Sequence, residues 1–201
     1  MTLQILTNKV FEQEAKPILR RVLSEVPIFG LLPVQEYQKR AILFPINFML
    51  SKDELLSVVI AASVVGDTGF YLSLLERFTN PEMANDFYFS LDESEKYLDF
   101  EVTGAFGVSE NVMYSPTGKW CIKFIVDDHA VIGGSSLFVN TLFSNLPKSA
   151  HEYLLDFLED CRFEKEKWGH PLDWLPPFLE YLYGKEQTNK LLVETALNKL
   201  L

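Results

Sequence analysis

Apolar positions change period several times along this chain, and each change marks an element. Ala15, Ile18, Leu19, Val22, Leu23 and Val26 recur at three- and four-residue intervals, the spacing of one helical face. Pro17 is tolerated only in a first turn, so the spacing predicts a helix that begins near Lys16 and is closed by Pro27 and Gly30. In AILFPINF, Ile42, Phe44, Ile46 and Phe48 alternate as strand residues do, and Pro45, which has no amide proton, confines that strand to an edge or a break. Ser51 and Glu54 of SKDE form a capping box that opens an apolar helix ended by Gly66. Asp67 or Thr68 is expected to cap a second helix, striped by Tyr71, Leu74, Leu75 and Phe78 and stopped at Asn80-Pro81.

Past residue 85 the period falls to two. Phe87, Phe89 and Leu91 alternate, then Leu98, Phe100 and Val102, on either side of the acidic connection DESEK, which reads as a hairpin. A second hairpin is expected through SPTG, where Ser115, Pro116 and Gly118 occupy the positions a type I turn prefers. Pairing through that turn sets Tyr114 opposite Trp120 and Val112 opposite Ile122. Those four would share a core face with Phe124 and Val126, and Lys119, Cys121, Lys123 and Ile125 would lie on a half-wet face. Asp127-Asp128-His129 falls at the next reversal, the segment AVI returns as a third strand, and Gly133-Gly134 ends it.

The remainder reads as helices. Ser135 or Ser136 caps LFVNTLFSN, Pro147 breaks it, and Ser149 with Glu152 makes a second capping box. Ala150, Tyr153, Leu154, Phe157, Leu158 and Cys161 then follow an amphipathic stripe. GHPLDWLPP is a rigid turn around Trp174, followed by a short helix closed by Gly184 and another carrying Leu192, Val193, Ala196, Leu197 and Leu200. The pattern predicts one α+β domain over residues 1–201, with 186–201 as a helical extension. Its centre is an antiparallel sheet of about four to six strands between 85 and 132, with helices from both ends of the chain covering one face.

Composition narrows the function classes. The formal charge of -10 argues against nucleic acid, which demands a basic face. The excess sits in two places: residues 51–110 carry 3 basic and 12 acidic side chains, and residues 151–201 carry 6 and 10. The longest apolar run, LLSVVIAASVV, has 11 residues against about 20 needed to cross a bilayer, so no membrane association is expected. The N-terminus lacks the features of a secretory signal and the two cysteines fall at apolar positions, which points to a cytoplasmic protein with reduced thiols.

Candidate chemistry is sparse. Asp127, Asp128 and His129 put carboxylates beside an imidazole, as a general base would require, but adjacent turn residues point apart and no nucleophile is placed next to them. Turn chemistry is the preferred reading. GGSSLF departs from a nucleophile elbow at Leu137, and in GKW Trp120 replaces the Ser or Thr of a phosphate loop. Gly133-Gly134 before a serine-capped helix leaves anion binding on free amides as an alternative. His129, His151 and His170 lack metal-site spacing, so neither a metal nor a cofactor is expected. Glu152, Asp156, Glu159 and Asp160 form an acidic stripe opposite the apolar one, and Asp92, Glu93 and Glu95 form a second acidic group. Trp168 and Trp174 are candidate aromatic anchors nearby.

The tract YSPTGKW followed by DDHAVIGG resembles segments of small, uncharacterised bacterial proteins. In general composition the chain is similar to the immunity proteins that neutralise bacterial toxins. That likeness implies a non-enzymatic binding module presenting acidic surface to a basic protein partner. Two other readings stand beside it. One is a small hydrolase or ligand-binding enzyme using His129 with Asp127 or Asp128 near Gly133-Gly134. The other is a scaffold that self-associates into a homo-oligomer through the C-terminal helix.

Overall fold

A computed structural model describes residues 4–46, 49–75, 85–98, 110–125 and 128–201. Phe48, Phe78, Asn80, Pro81, Phe100, Val102, Val126 and Asp127, all named above, lie outside the described residues. The fold is α+β, built on one antiparallel sheet of seven strands. These are β1 (Gln4–Ile5), β4 (Lys39–Leu43), β5 (Gly69–Leu74), β6 (Asp86–Ser90), β7 (Asn111–Tyr114), β8 (Trp120–Ile125) and β9 (His129–Gly134), in the order β1-β6-β5-β7-β8-β9-β4. A separate hairpin pairs β2 (Leu23–Val26) with β3 (Gly30–Pro33). The sheet thus extends well beyond 85–132, because β1, β4 and β5 are recruited from earlier in the chain.

Both sheet faces are covered, where one was expected. On the first face, α3 (Lys52–Val64) and α4 (Ser136–Asn145) pack over Phe70, Leu72, Met113, Trp120, Ile122 and Ile132. The second face carries two cores. An N-terminal helical run covers Tyr71, Val112, Tyr114 and Cys121; it comprises α1 (Asn8–Val10), a π-helical turn (Phe11–Ala15) and α2 (Lys16–Val22). The C-terminal helices α5 (Ala150–Trp168), α6 (Leu175–Tyr183) and α7 (Lys185–Glu194) cover Ile42 and Val131. Each large aliphatic or aromatic side chain so buried contributes about 1.5–3 kcal/mol. Both serine capping boxes form: Ser51 accepts from the Glu54 amide while Glu54 accepts from the Ser51 amide, and Ser149 with Glu152 repeats the arrangement.

Three elements differ from the sequence pattern. The helix from Lys16 stops at Val22, and Leu23 to Val26 pair with β3 instead, since the hairpin buries Leu23 and Leu32 in separate cores. Pro27 and Gly30 therefore bound a hairpin. The expected helix through Tyr71 and Leu74 is strand β5, buried along its whole length between β6 and β7; a strand with two buried faces loses the alternation that identifies it. The acidic DESEK connection is a 3-10 helix (Leu91–Tyr97) that absorbs Leu91 and buries Tyr97 against Phe70 and Phe89.

Register in the SPTG hairpin is shifted by one residue. Tyr114 faces Cys121 and Met113 faces Ile122. Tyr114 and Val112 therefore lie on the second face with Cys121 and Lys123, away from Trp120, and that face is dry: Lys123 is fully buried, 3.0 Å from the Glu110 carboxylate. The cause is Asp67, which follows α3 and is itself buried. Its carboxylate accepts from Ser115 Oγ at 2.7 Å, Thr117 Oγ1 at 2.8 Å and Trp120 Nε1 at 2.8 Å. Only with Ser115 opposite Trp120 do both side chains reach the same oxygen, and the Ser115 amide donates to the Trp120 carbonyl at 3.0 Å.

Replacing Asp67 with Ala strands the buried Trp120 indole N–H and removes the carboxylate bonds of Ser115 and Thr117, so urea unfolding is expected to show a loss of about 2–5 kcal/mol. A loss below about 1 kcal/mol would show that the carboxylate does not hold the hairpin.

Candidate functional site

Strand β9 begins one residue after a reversal in which Asp128, and not His129, takes the left-handed conformation, with φ of 57°. An Asp tolerates that region because its short side chain can bond locally. The Asp128 carbonyl is held by the Ile46 amide at 2.8 Å, which ties the turn to the chain leaving β4. His129 is paired with Ile125 across β8 and β9 and is buried, its ring packed 5.0 Å from Phe157 of α5 and 5.9 Å from Phe178 of α6. It is thus part of the second face, beyond what a turn residue requires.

Above this turn, α5 and the connector that follows it enclose a cleft of about 430 Å³. Asp160, Cys161 and Glu164 enter from α5, Asp128 and His129 from the turn, and His170 and Trp174 from the connector. The connector leaves α5 through Gly169, whose φ of 72° gives the left-handed stop that a glycine takes without strain. His170 Nδ1 lies 2.8 Å from Glu164 Oε2. Trp174 forms the aromatic wall, with its ring 6.3 Å from Phe157 and 5.8 Å from Phe178. Partial burial, then the neighbouring charges of Glu164 and Asp128, push the Asp160 carboxyl above the usual range. Asp160 still reaches solvent.

The fold distributes the acidic stripe unevenly. Glu152 is committed to its capping box, and the hydrogen bond from the Ser149 amide lowers its carboxyl below the usual range. Asp156 pairs with Lys148 at 2.5 Å and Glu159 with Arg162 at 3.4 Å. Of the four, Asp160 alone lines the cleft, where Asp128 and Glu164 join it. Asp92, Glu93 and Glu95 lie on the 3-10 helix against β5, β6 and α3, whereas α5 packs on β4 at the opposite end of the strand order. Glu93 there is paired with Lys96 at 2.9 Å. Trp174 belongs to the cleft, and Trp168 is exposed on α5 beneath the Lys167 ammonium.

The Gly133-Gly134 pair forms the last two residues of β9, so the strand ends there as expected. A Cβ on Gly133 would fall 2.6 Å from both Pro33 Cβ and Tyr37 Cδ2, so close packing of the β2–β3 hairpin on the sheet requires glycine there. The amides that open α4 are partly consumed: Ser136 N donates to Gln38 Oε1 at 2.8 Å and Phe138 N to Ser135 Oγ at 3.2 Å. Both are therefore closed to an anion.

As chemistry, the cleft offers carboxylates, two imidazoles and an aromatic wall. Its one thiol among the described residues is Cys161, and burial, then the Asp160 charge, push it up to about 12, which keeps it protonated and inert at neutral pH. No group of three or more His, Cys, Asp and Glu side chains among the described residues is arranged to hold a metal ion. No helix among them is long and apolar enough to cross a membrane. Sequence spacing did not bring out Glu164 or His170. The signal for Glu164 was its i+4 position from Asp160, but His129 and His170 meet only through the fold.

A carboxyl whose folded pKa is raised costs stability when ionised, and the cost vanishes as pH falls through the raised value to the unfolded one near about 3.9. Asp160→Asn should therefore raise the thermal midpoint at about pH 7 and leave it unchanged at about pH 3, in paired melts of the two proteins. Comparison of the chain with family models, curated proteins and solved structures returned no match, so its function is read from its own residues.

Proposed function

We propose that the protein is a non-enzymatic binding module whose partner is a basic protein, engaged through the cleft between α5 and the β8–β9 turn. A single observation carries the reading: Asp128, Asp160 and Glu164 converge beside Trp174 in a concave site, where partial burial and then the charges of Glu164 and Asp128 hold the Asp160 carboxyl above its usual range. Carboxylates that repel one another gain from a cation placed between them, and an indole face adds attraction for an ammonium or guanidinium group. The net charge of -10 extends the same preference to long range and speeds encounter with a cationic surface. A toxin with a basic face is the class of partner that the likeness to immunity proteins implies.

A cleft enclosing His129 and Asp128 would also suit a hydrolase that activates water, since burial keeps the Cys161 thiol protonated, but His129 is buried against Phe157 and Phe178. Binding is the reading the cleft supports best.

The test uses a fluorescently labelled lysine decapeptide as a cationic probe. Asp160→Asn with Glu164→Gln should weaken its binding about tenfold, and Asp156→Asn with Glu159→Gln, which removes the same charge from the ion-paired part of α5, less than about twofold. Raising sodium chloride from about 50 to about 300 mM should weaken the wild-type complex. Equal effects of the two double variants, or no binding by the wild type, would refute the assignment to the cleft.

A further inference from the structure

The acidic cleft does not end at His129. That side chain and Trp174 also line a second cavity of about 290 Å³ on the other side of the imidazole, bounded by Ile28, Phe29, Ile125 and Phe178. Its walls are mainly apolar, and Glu110, paired with the buried Lys123, is its one carboxylate among the described residues. A continuous surface therefore runs from aliphatic and aromatic side chains, across His129 and Trp174, to three carboxylates.

The rim of the apolar part is unusual in its own right. Ile28, at the tip of the β2–β3 hairpin, is 84% exposed and holds a φ of 79°. A β-branched side chain is poorly suited to that left-handed backbone, and one this exposed gains almost nothing from the protein's own core. The hairpin is nonetheless closed by the Phe29 amide on the Val26 carbonyl at 3.1 Å, which fixes Ile28 over the groove instead of letting the tip relax. An apolar side chain is thus presented at a position where glycine would suit the backbone better.

We infer that the recognised element of the partner is an amphipathic segment, with an apolar side chain seated in the groove under Ile28 and an adjoining Lys or Arg reaching the carboxylates past Trp174. Charge complementarity selects this occupant, because an acidic or purely apolar segment would bring no cation to Asp128 and Asp160, and none to Glu164 beyond its contact with His170. The inference rests on the binding function proposed above and adds the specificity that charge by itself cannot supply: the apolar contact distinguishes one basic partner from another.

Two fluorescein-labelled heptapeptides that differ at one position test it, one with leucine and one with glycine before a central lysine pair. The wild type should bind the leucine peptide about five- to tenfold more tightly. Ile28→Gly, which the left-handed backbone accepts readily and which should not lower the thermal midpoint, should reduce that preference to about twofold or less. Asp160→Asn with Glu164→Gln should weaken both peptides and keep their ratio. Equal binding of the two peptides by the wild type, or a ratio that survives Ile28→Gly, overturns the inference and leaves the cationic cleft standing. Failure of the wild type to bind either heptapeptide and the lysine decapeptide overturns both.

Discussion

One buried carboxylate organises the middle of this molecule. Asp67 receives three donors from the SPTG hairpin, and around that hairpin the other layers are fastened. Trp120, aligned by its indole bond to Asp67, stacks on Phe138 of α4 with ring centroids 4.5 Å apart. Lys119 Nζ reaches the Val65 carbonyl at the end of α3. Arg21 of α2 donates to the Thr117 carbonyl and Tyr37 to that of Gly118. Helices from three parts of the chain thus meet on one turn, and the register that turn imposes decides which side chains of β8 and β9 face which core. The bonds from Ser115 and Trp120 to this buried carboxylate are the strong ones, because neither donor has water as an alternative.

The candidate site inherits its geometry from that register. With Ile122 opposite Ile132, His129 falls on the second face, under α5 and α6, where Phe157 and Phe178 hold its ring. A slip of one residue would turn it to the other side of the sheet. Asp160 and Glu164 arrive by a different route, from α5, and the left-handed stop at Gly169 leads His170 and Trp174 into the same cleft. Cleft and groove are therefore joined at His129, the first residue of β9, and at Trp174, which caps α6.

Much of this was legible in the residues. The capping boxes at Ser51 and Ser149, the serine cap of α4 and the stripe of α5 are local rules, and each formed as read. The SPTG turn was legible but its register was not, since the deciding partner, Asp67, lies 48 residues before Ser115. Strand β5 was misread because Tyr71 and Leu74 fit a helical interval while both faces of the strand are buried. For the site, the composition indicated negative charge, and the stripe indicated α5. How its carboxylates are partnered depended on Lys148, Arg162 and His170, whose contacts with Asp156, Glu159 and Glu164 are a matter of geometry and side-chain reach. Glu164 follows from Asp160 by the i+4 interval of α5, but the share of the site held by His170 and Ile28 depends on contacts between elements that no local pattern encodes.

The central claim, that a carboxylate locked in a dry hairpin sets the frame, is tested most directly by hydrogen exchange at the indole of Trp120. The account predicts that this N–H exchanges only with global unfolding, with a protection that follows the stability of the protein across denaturant. Exchange as fast as that of the exposed Trp168 indole would contradict it.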